Sequence, residues 1–155
     1  MSKRKKRVLA IASGGGHWVQ LMRISPAFKD CHVSYGSTWS GYRDDVKAHP
    51  FYRIRDASRD NKFGMWIQAA MVLLAVVRSR PDFVISTGAA PGYFALRIAK
   101  MFGAKTCWVD SIANAEEVSL SGRMVARYAD LWLTQWEHLA GPDGPEFHGN
   151  VLPDD

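Results

Sequence analysis

The sequence predicts an α/β domain built on an open, mostly parallel sheet with helices on both faces. Two observations carry that reading. Strand-like and helix-like stretches alternate along the chain, the pattern that builds parallel sheets through crossover connections. Several strand-like runs are continuously apolar rather than alternating, as expected when helices cover both sheet faces.

The first run, residues 7–12, holds Val8-Leu9-Ala10-Ile11-Ala12 and ends in Ser13-Gly14-Gly15-Gly16-His17. Apolar residues, then glycines, then a polar start read as a strand turning into a helix. Glycines let backbone N–H groups approach a ligand, and the helix start carries partial positive charge, so the turn suits phosphate. The first helix is expected over 17–29, with Pro26 stopping or kinking it. Further strands are expected at 31–36, 51–55, 82–86, 105–109 and 130–134, and further helices near 63–79, 91–102 and 119–128. Gly141-Pro142-Asp143-Gly144-Pro145 is loop chemistry. The chain thus divides into a basic tail (1–7), a domain (8–140) and a C-terminal tail (141–155) without an element of its own.

With 155 residues, the chain holds one domain with a real core; 47% hydrophobic and 23% charged residues exclude disorder. The six Trp serve either the core or an interface. The net charge of +5 is concentrated in Lys3-Arg4-Lys5-Lys6-Arg7. Without interleaved aromatics or a nucleic-acid module, that row reads as a patch for an anionic membrane surface, the alternative being a solvated end; no nucleic acid is expected. Cys31 and Cys107 form neither a CxxC pair nor a disulfide framework, so no metal site is expected, and Cys107 reads as a buried thiol. The basic start runs into a short strand and then glycines, which is not a signal-peptide pattern, and the chain reads as cytoplasmic. From Met65 to Val77 only Gln68 is polar. As a helix this stretch covers roughly 20 Å, short of the ~30 Å hydrocarbon core. It reads as a buried core helix or one lying partly in the membrane interface, where Trp66 would be at home.

An open parallel sheet binds its ligand at the carboxyl ends of its strands. There stand Ser13 to His17, the second small-residue turn Ser86-Thr87-Gly88-Ala89-Ala90-Pro91-Gly92-Tyr93, and Asp110-Ser111-Ile112-Ala113-Asn114-Ala115-Glu116-Glu117. A further connection carries Arg59-Asp60-Asn61-Lys62. Two glycine-bearing turns with acids and an arginine suit a phosphorylated ligand. Gly14 to Gly16 form neither GxGxxG nor a Walker loop with its lysine, which argues against nicotinamide cofactors and NTP hydrolysis. Gly88 and Gly92 also suit close packing, and Asp110, Glu116 and Glu117 suit helix starts. His17, beside a glycine turn at a strand end, is placed for proton transfer.

Beyond these turns, Trp108-Val109-Asp110-Ser111-Ile112-Ala113, Ser119-Leu120-Ser121-Gly122-Arg123, Tyr128-Ala129-Asp130-Leu131-Trp132 and Gln135-Trp136-Glu137-His138-Leu139 follow in order. Together the pattern resembles the acceptor-side subunit of the two-part sugar transferase of asparagine-linked glycosylation (the Alg-fourteen-like family), with bacterial relatives in capsule and exopolysaccharide assembly. The resemblance implies a Rossmann-like domain equivalent to the N-terminal half of a GT-B glycosyltransferase. Such a half would hold a lipid-linked acceptor at the cytoplasmic face of the plasma membrane, while a partner chain binds the UDP-sugar.

Carried onto this sequence, the resemblance implies that Gly14, Gly15, Gly16, Gly88 and Gly92 present N–H groups to an undecaprenyl-diphosphate, with Arg59 neutralising phosphate. His17 would be the general base, with Asp110 standing where relatives commonly carry Glu and competing for that role. Ser111, Asn114 and Glu116 would line the acceptor sugar, and Trp136 the partner interface. No cofactor is implied. Eukaryotic members carry an N-terminal membrane helix that this sequence does not show, which shifts attachment onto the basic row, the Met65–Val77 segment or another anchor. The alternative is a non-catalytic membrane adaptor that activates a catalytic partner.

Overall fold

The computed structural model describes residues 3–153. Seven strands form one parallel sheet: β1 (Arg7–Ile11), β2 (His32–Ser37), β3 (Phe51–Arg53), β4 (Phe83–Ser86), β5 (Lys105–Val109), β6 (Leu131–Thr134) and β7 (Glu146–Phe147), in the order β3-β2-β1-β4-β5-β6-β7. The helices are α1 (Gly16–Ile24), α2 (Lys62–Ser79), α3 (Ala89–Met101) and α4 (Leu120–Val125). The chain winds outward from β1 to β3, then crosses back through α2 to β4 on the other side of β1. The connections leaving β1 and β4 therefore part at the carboxyl edge, where open sheets of this kind bind ligands.

Leu9, Ile11, Val84 and Trp108 pack against Val72, Ala75 and Val76 of α2, Ala95, Leu96 and Ala99 of α3, and Val125 of α4. On the other face Val8, Ala10, Val33 and Tyr35 pack against Trp18 and Leu21 of α1, and against Phe28 and Val46 of the short 3₁₀ segments. Both faces of the central strands are covered, which is why β1 reads as an unbroken apolar run. Helix α1 stops at Ile24, and Pro26 falls in a 3₁₀ turn, Ser25–Phe28, where its missing N–H costs nothing.

Helix α2 buries one face of the Met65–Val77 segment in the core and exposes the other. Asn61 caps it, its side chain accepting the Gly64 N–H at 2.9 Å. Gly64, Gln68, Val72, Ala75 and Val76 face the core, and Gln68 donates to the Arg55 carbonyl at 2.9 Å. Phe63, Trp66, Leu73, Leu74 and Val77 face outward.

Two expectations change. The helix expected over 119–128 is shorter, because α4 gives way to a 3₁₀ turn at Ala126–Tyr128. The C-terminal tail does have an element: β7 pairs with β6 through Leu133↔Glu146 and Thr134↔Phe147. The chain beyond β7 is then tied back by the Val151 N–H to Gln135 Oε1 at 3.0 Å and by Arg23 Nη1 to the Val151 carbonyl at 3.0 Å. A two-residue strand at a sheet edge carries no periodicity to read.

Two carboxylates tie the connections together. Asp82 accepts the Arg7 N–H at 2.8 Å and the Arg4 guanidinium at 2.8 Å, and these hold its pKa below the usual carboxylate range. Asp130 is lowered in the same way by Lys100 and the Thr106 N–H. Their folded pKa values lie below the unfolded ones, so the stability they contribute is present above about pH 4 and is lost as pH falls through the folded values. Thermal melts of wild type and of Asp82→Asn/Asp130→Asn should differ most at neutral pH, and the gap should close towards pH 3.

Candidate functional site

The glycine turn after β1 is braced rather than open. The Gly14 N–H donates to Thr38 Oγ1 at 3.0 Å and the Gly15 N–H to the Tyr42 hydroxyl at 2.8 Å. Tyr42 stacks on Trp18 with ring centroids 4.6 Å apart, and Trp18 Nε1 donates to Asp45 at 2.8 Å. Gly14 and Gly15 thus hold the turn with N–H groups that were expected to meet phosphate, and Gly15 is needed for its φ of 69°. The N–H groups of Gly16 and His17 open α1 and, as first-turn donors, are the ones an anion would meet.

The second turn meets the first through His17. Its Nδ1 lies 3.1 Å from the Thr87 carbonyl, and Thr87 Oγ1 donates back to the His17 carbonyl. Contact with a carbonyl places the proton on Nδ1 and leaves Nε2 as the basic nitrogen. The ring lies so close on Gly88 that a Cβ there would fall 2.3 Å from Nδ1. Gly88 also has a φ of 143°, and its N–H donates to Ser86 Oγ at 3.2 Å. Gly92 is needed for close packing, since a Cβ on it would stand 1.9 Å from Ser86 Oγ. Ala89 holds a φ of 65° at the start of α3, a left-handed conformation costing of order 1 kcal/mol in a residue with a Cβ. No sequence signal marks an alanine for that duty.

Asp110 is 2% exposed and fully engaged. Oδ1 accepts from Trp108 Nε1 at 3.0 Å and from the Ser119 hydroxyl; Oδ2 accepts the Ser119 N–H at 2.9 Å and the Asn114 amide at 3.4 Å. That carboxylate closes the loop over 110–119, and its lone pairs are occupied. Ser111 Oγ is likewise turned inward, accepting from Gln20 Nε2 at 3.2 Å and the Ala113 N–H at 3.2 Å. Glu116 stands exposed on the loop and Arg59 exposed in the turn before α2.

Gln20 and Gln135 were missed. Both are buried; Gln135 Nε2 donates to Gln20 Oε1 and to the Asp110 carbonyl at 2.9 Å, while Gln20 Oε1 also accepts the Ile112 N–H at 3.2 Å. The available signal was spacing: Gln20 lies three residues after His17, on the same helix face. Trp136 Nε1 donates to the Ile112 carbonyl at 2.8 Å, and His138 Nε2 meets the Ala115 carbonyl at 2.6 Å. Trp136 is therefore half-buried against the chain's own loop. Burial pushes the Cys107 thiol up to about 11, so it is inert at neutral pH. Among the described residues no cluster of His, Cys, Asp and Glu is placed to hold a metal ion.

A family model described as oligosaccharide biosynthesis protein Alg14 like matches residues 62–150. The chain is 23% identical over 170 residues to the UDP-N-acetylglucosamine transferase subunit ALG14 of Mus musculus, covering 86% of this chain and 76% of that protein. It is 24% identical over 169 residues to the subunit of the same name from Eremothecium gossypii, covering 87% and 75%. In fold it resembles Acinetobacter baumannii MurG, with a TM-score of 0.74 at 13% identity, covering 96% of this chain and 47% of MurG. It likewise resembles UDP-N-acetylglucosamine 2-epimerase from Rickettsia bellii, with a TM-score of 0.70 at 14% identity and 46% of that chain covered. The chain thus spans about half the length of these two structures, and its fold is that of one Rossmann-like half of a GT-B protein.

Proposed function

The chain belongs to the Alg14-like family of oligosaccharide biosynthesis proteins, and from that premise we propose that it is the acceptor-binding subunit of a two-chain inverting glycosyltransferase. The acceptor is an undecaprenyl-diphosphate-linked saccharide in exopolysaccharide or capsule assembly at the cytoplasmic face of the plasma membrane. A partner chain holds the UDP-sugar. The observation that carries the reading is His17, locked between the turns after β1 and β4 with Nδ1 engaged and Nε2 left basic.

In this mechanism Nε2 of His17 takes the proton of the acceptor hydroxyl. The freed oxygen attacks the anomeric carbon from the face opposite UDP, which leaves with its electron pair, so the configuration inverts. The diphosphate of the acceptor lies against the first-turn N–H groups of α1 and α3, where two helix dipoles point at it, with Arg59 supplying charge. Asp110 positions: it fixes the loop on which Asn114 and Glu116 meet the acceptor sugar. Trp136 holds the same loop from behind and gives a partner chain a half-exposed indole.

The test is transfer from a panel of UDP-sugars to a synthetic polyprenyl-diphosphate sugar, run with this chain, with its partner, and with both. Transfer by the pair alone is the expected result. Full transfer by the partner alone would leave this chain an adaptor, and transfer by this chain alone would place the nucleotide site here.

A further inference from the structure

The loop over 110–119, on which Ser111, Asn114 and Glu116 stand, contains neither helix nor strand, so side-chain hydrogen bonds set its position. Two of those side chains, Gln20 and Gln135, are 5% and 3% exposed and join four separate segments. Gln20 lies on α1, three residues after His17; it donates to Ser111 Oγ at 3.2 Å and accepts the Ile112 N–H at 3.2 Å. Gln135 follows β6; its Nε2 donates to Gln20 Oε1 and to the Asp110 carbonyl at 2.9 Å, and its Oε1 accepts the Val151 N–H at 3.0 Å. Backbone donors at the two ends fix the direction of these bonds. The N–H groups of Ile112 and Val151 each demand an amide oxygen, which leaves the Gln135 nitrogen to face Gln20. Neither amide can flip without setting donor against donor. The Val151 carbonyl is held as well, by Arg23 of α1 at 3.0 Å. A cavity of about 190 Å³ is nevertheless lined by Gly149 to Val151 on one side and by Ile24, Val109 and Leu133 on the other. Hydrogen bonds, more than packing, seat this segment.

We propose that Gln20 and Gln135 are positioning residues of the acceptor site, through which the seated segment 149–151 sets the loop over 110–119 against the helix that carries His17. The inference rests on the acceptor-binding reading above and deepens it. Both amides are buried, so they act through the groups they hold. Apolar side chains of the same size would fill this space without needing partners; what a buried amide pair adds is direction. It ties Asp110, Ser111 and Ile112 to α1 in one register, and Val151 supplies the donor that orients the pair. With that donor withdrawn, Gln135 Oε1 has nothing to hold it, the amide turns, and the loop loses its common anchor to α1. Acceptor affinity then falls. The His17 ring is held separately, at the Thr87 carbonyl, so the proton-transfer step is spared.

Hydrogen exchange of the isolated chain reads the coupling, and kinetics of the reconstituted pair read its effect. Val151→Pro removes the N–H and keeps the rest of the segment. The Ile112 amide, bonded to Gln20 and not to Val151, should then exchange about tenfold faster. In the pair, Gln135→Glu should raise acceptor KM about tenfold, with kcat and donor KM little moved, and Gln20→Glu should raise it less. Glutamate at 20 satisfies its partners in either protonation state: the Ser111 hydroxyl donates to a carboxylate and accepts from a carboxylic acid. Glutamate at 135 fails in both, having at most one proton for two acceptors, Gln20 Oε1 and the Asp110 carbonyl. A side chain that only filled space would rank the two alike. Val151→Pro should raise acceptor KM in the same direction, and it keeps the test open if Gln135→Glu does not fold. The inference is overturned if Ile112 exchange is unchanged in Val151→Pro, if the KM ranking is absent or reversed, or if the loss falls on kcat alone. A wild-type pair that transfers nothing would instead sink the two-chain reading, and the exchange result would still decide the coupling.

Discussion

Transfer by the reconstituted pair should fall about 10²- to 10⁴-fold when His17 is replaced by alanine, the range that a positioned general base contributes. The loss should appear in kcat, because the imidazole acts on the hydroxyl proton only as the oxygen attacks, and acceptor KM should move little. The acid limb of the pH–rate profile, which reports the base, should disappear in the variant. Gly88→Ala supplies an independent reading of the same geometry. Its Cβ would stand 2.3 Å from His17 Nδ1, so the ring must leave the Thr87 carbonyl, and the tautomer that leaves Nε2 basic is no longer enforced. Part of the His17→Ala loss should therefore recur without any change to the histidine. Undiminished turnover in His17→Ala would remove the residue from the mechanism and favour the adaptor reading.

The sheet was legible because its physics is local. Apolar runs such as Val8 to Ala12 mark strands covered on both faces, and the alternation of strands and helices leaves few topologies. The edge that carries the candidate site followed from the rule that open parallel sheets bind at the carboxyl ends of their strands. What could not be read was how each turn spends its N–H groups. Gly14, Gly15 and Gly92 look alike as residues, yet two donate to Thr38 and Tyr42 and the third makes room for Ser86. Those partners arrive from distant segments, and no spacing rule reports them. Gln20 and Gln135 were hidden for the same reason, being 115 positions apart in the chain and joined only in the fold. The two apolar faces of α2 were hidden differently: composition shows that Met65 to Val77 is apolar, but only packing tells which side meets the core.

Asp110 offers the sharpest separation of structural from chemical roles. Four donors converge on its buried carboxylate, and truncation leaves the Trp108 indole, the Ser119 hydroxyl and the Ser119 N–H without partners. Orphaning buried donors of a charged acceptor costs about 3 kcal/mol, which for a chain of this size lowers Tm by roughly 6–12 °C. Asp110→Ala should show that loss in a thermal melt. Asp110→Asn should recover only part of it, because its amide presents N–H groups to donors that need an acceptor. Turnover should fall with the loosening of the 110–119 loop, raising acceptor KM more than it lowers kcat. Had Asp110 been the base, Asp110→Asn would show the same loss of Tm but lose kcat by orders of magnitude with acceptor KM little changed. The melt reports the structural role under either reading, and the KM-against-kcat comparison on the same variant decides whether Asp110 takes the proton.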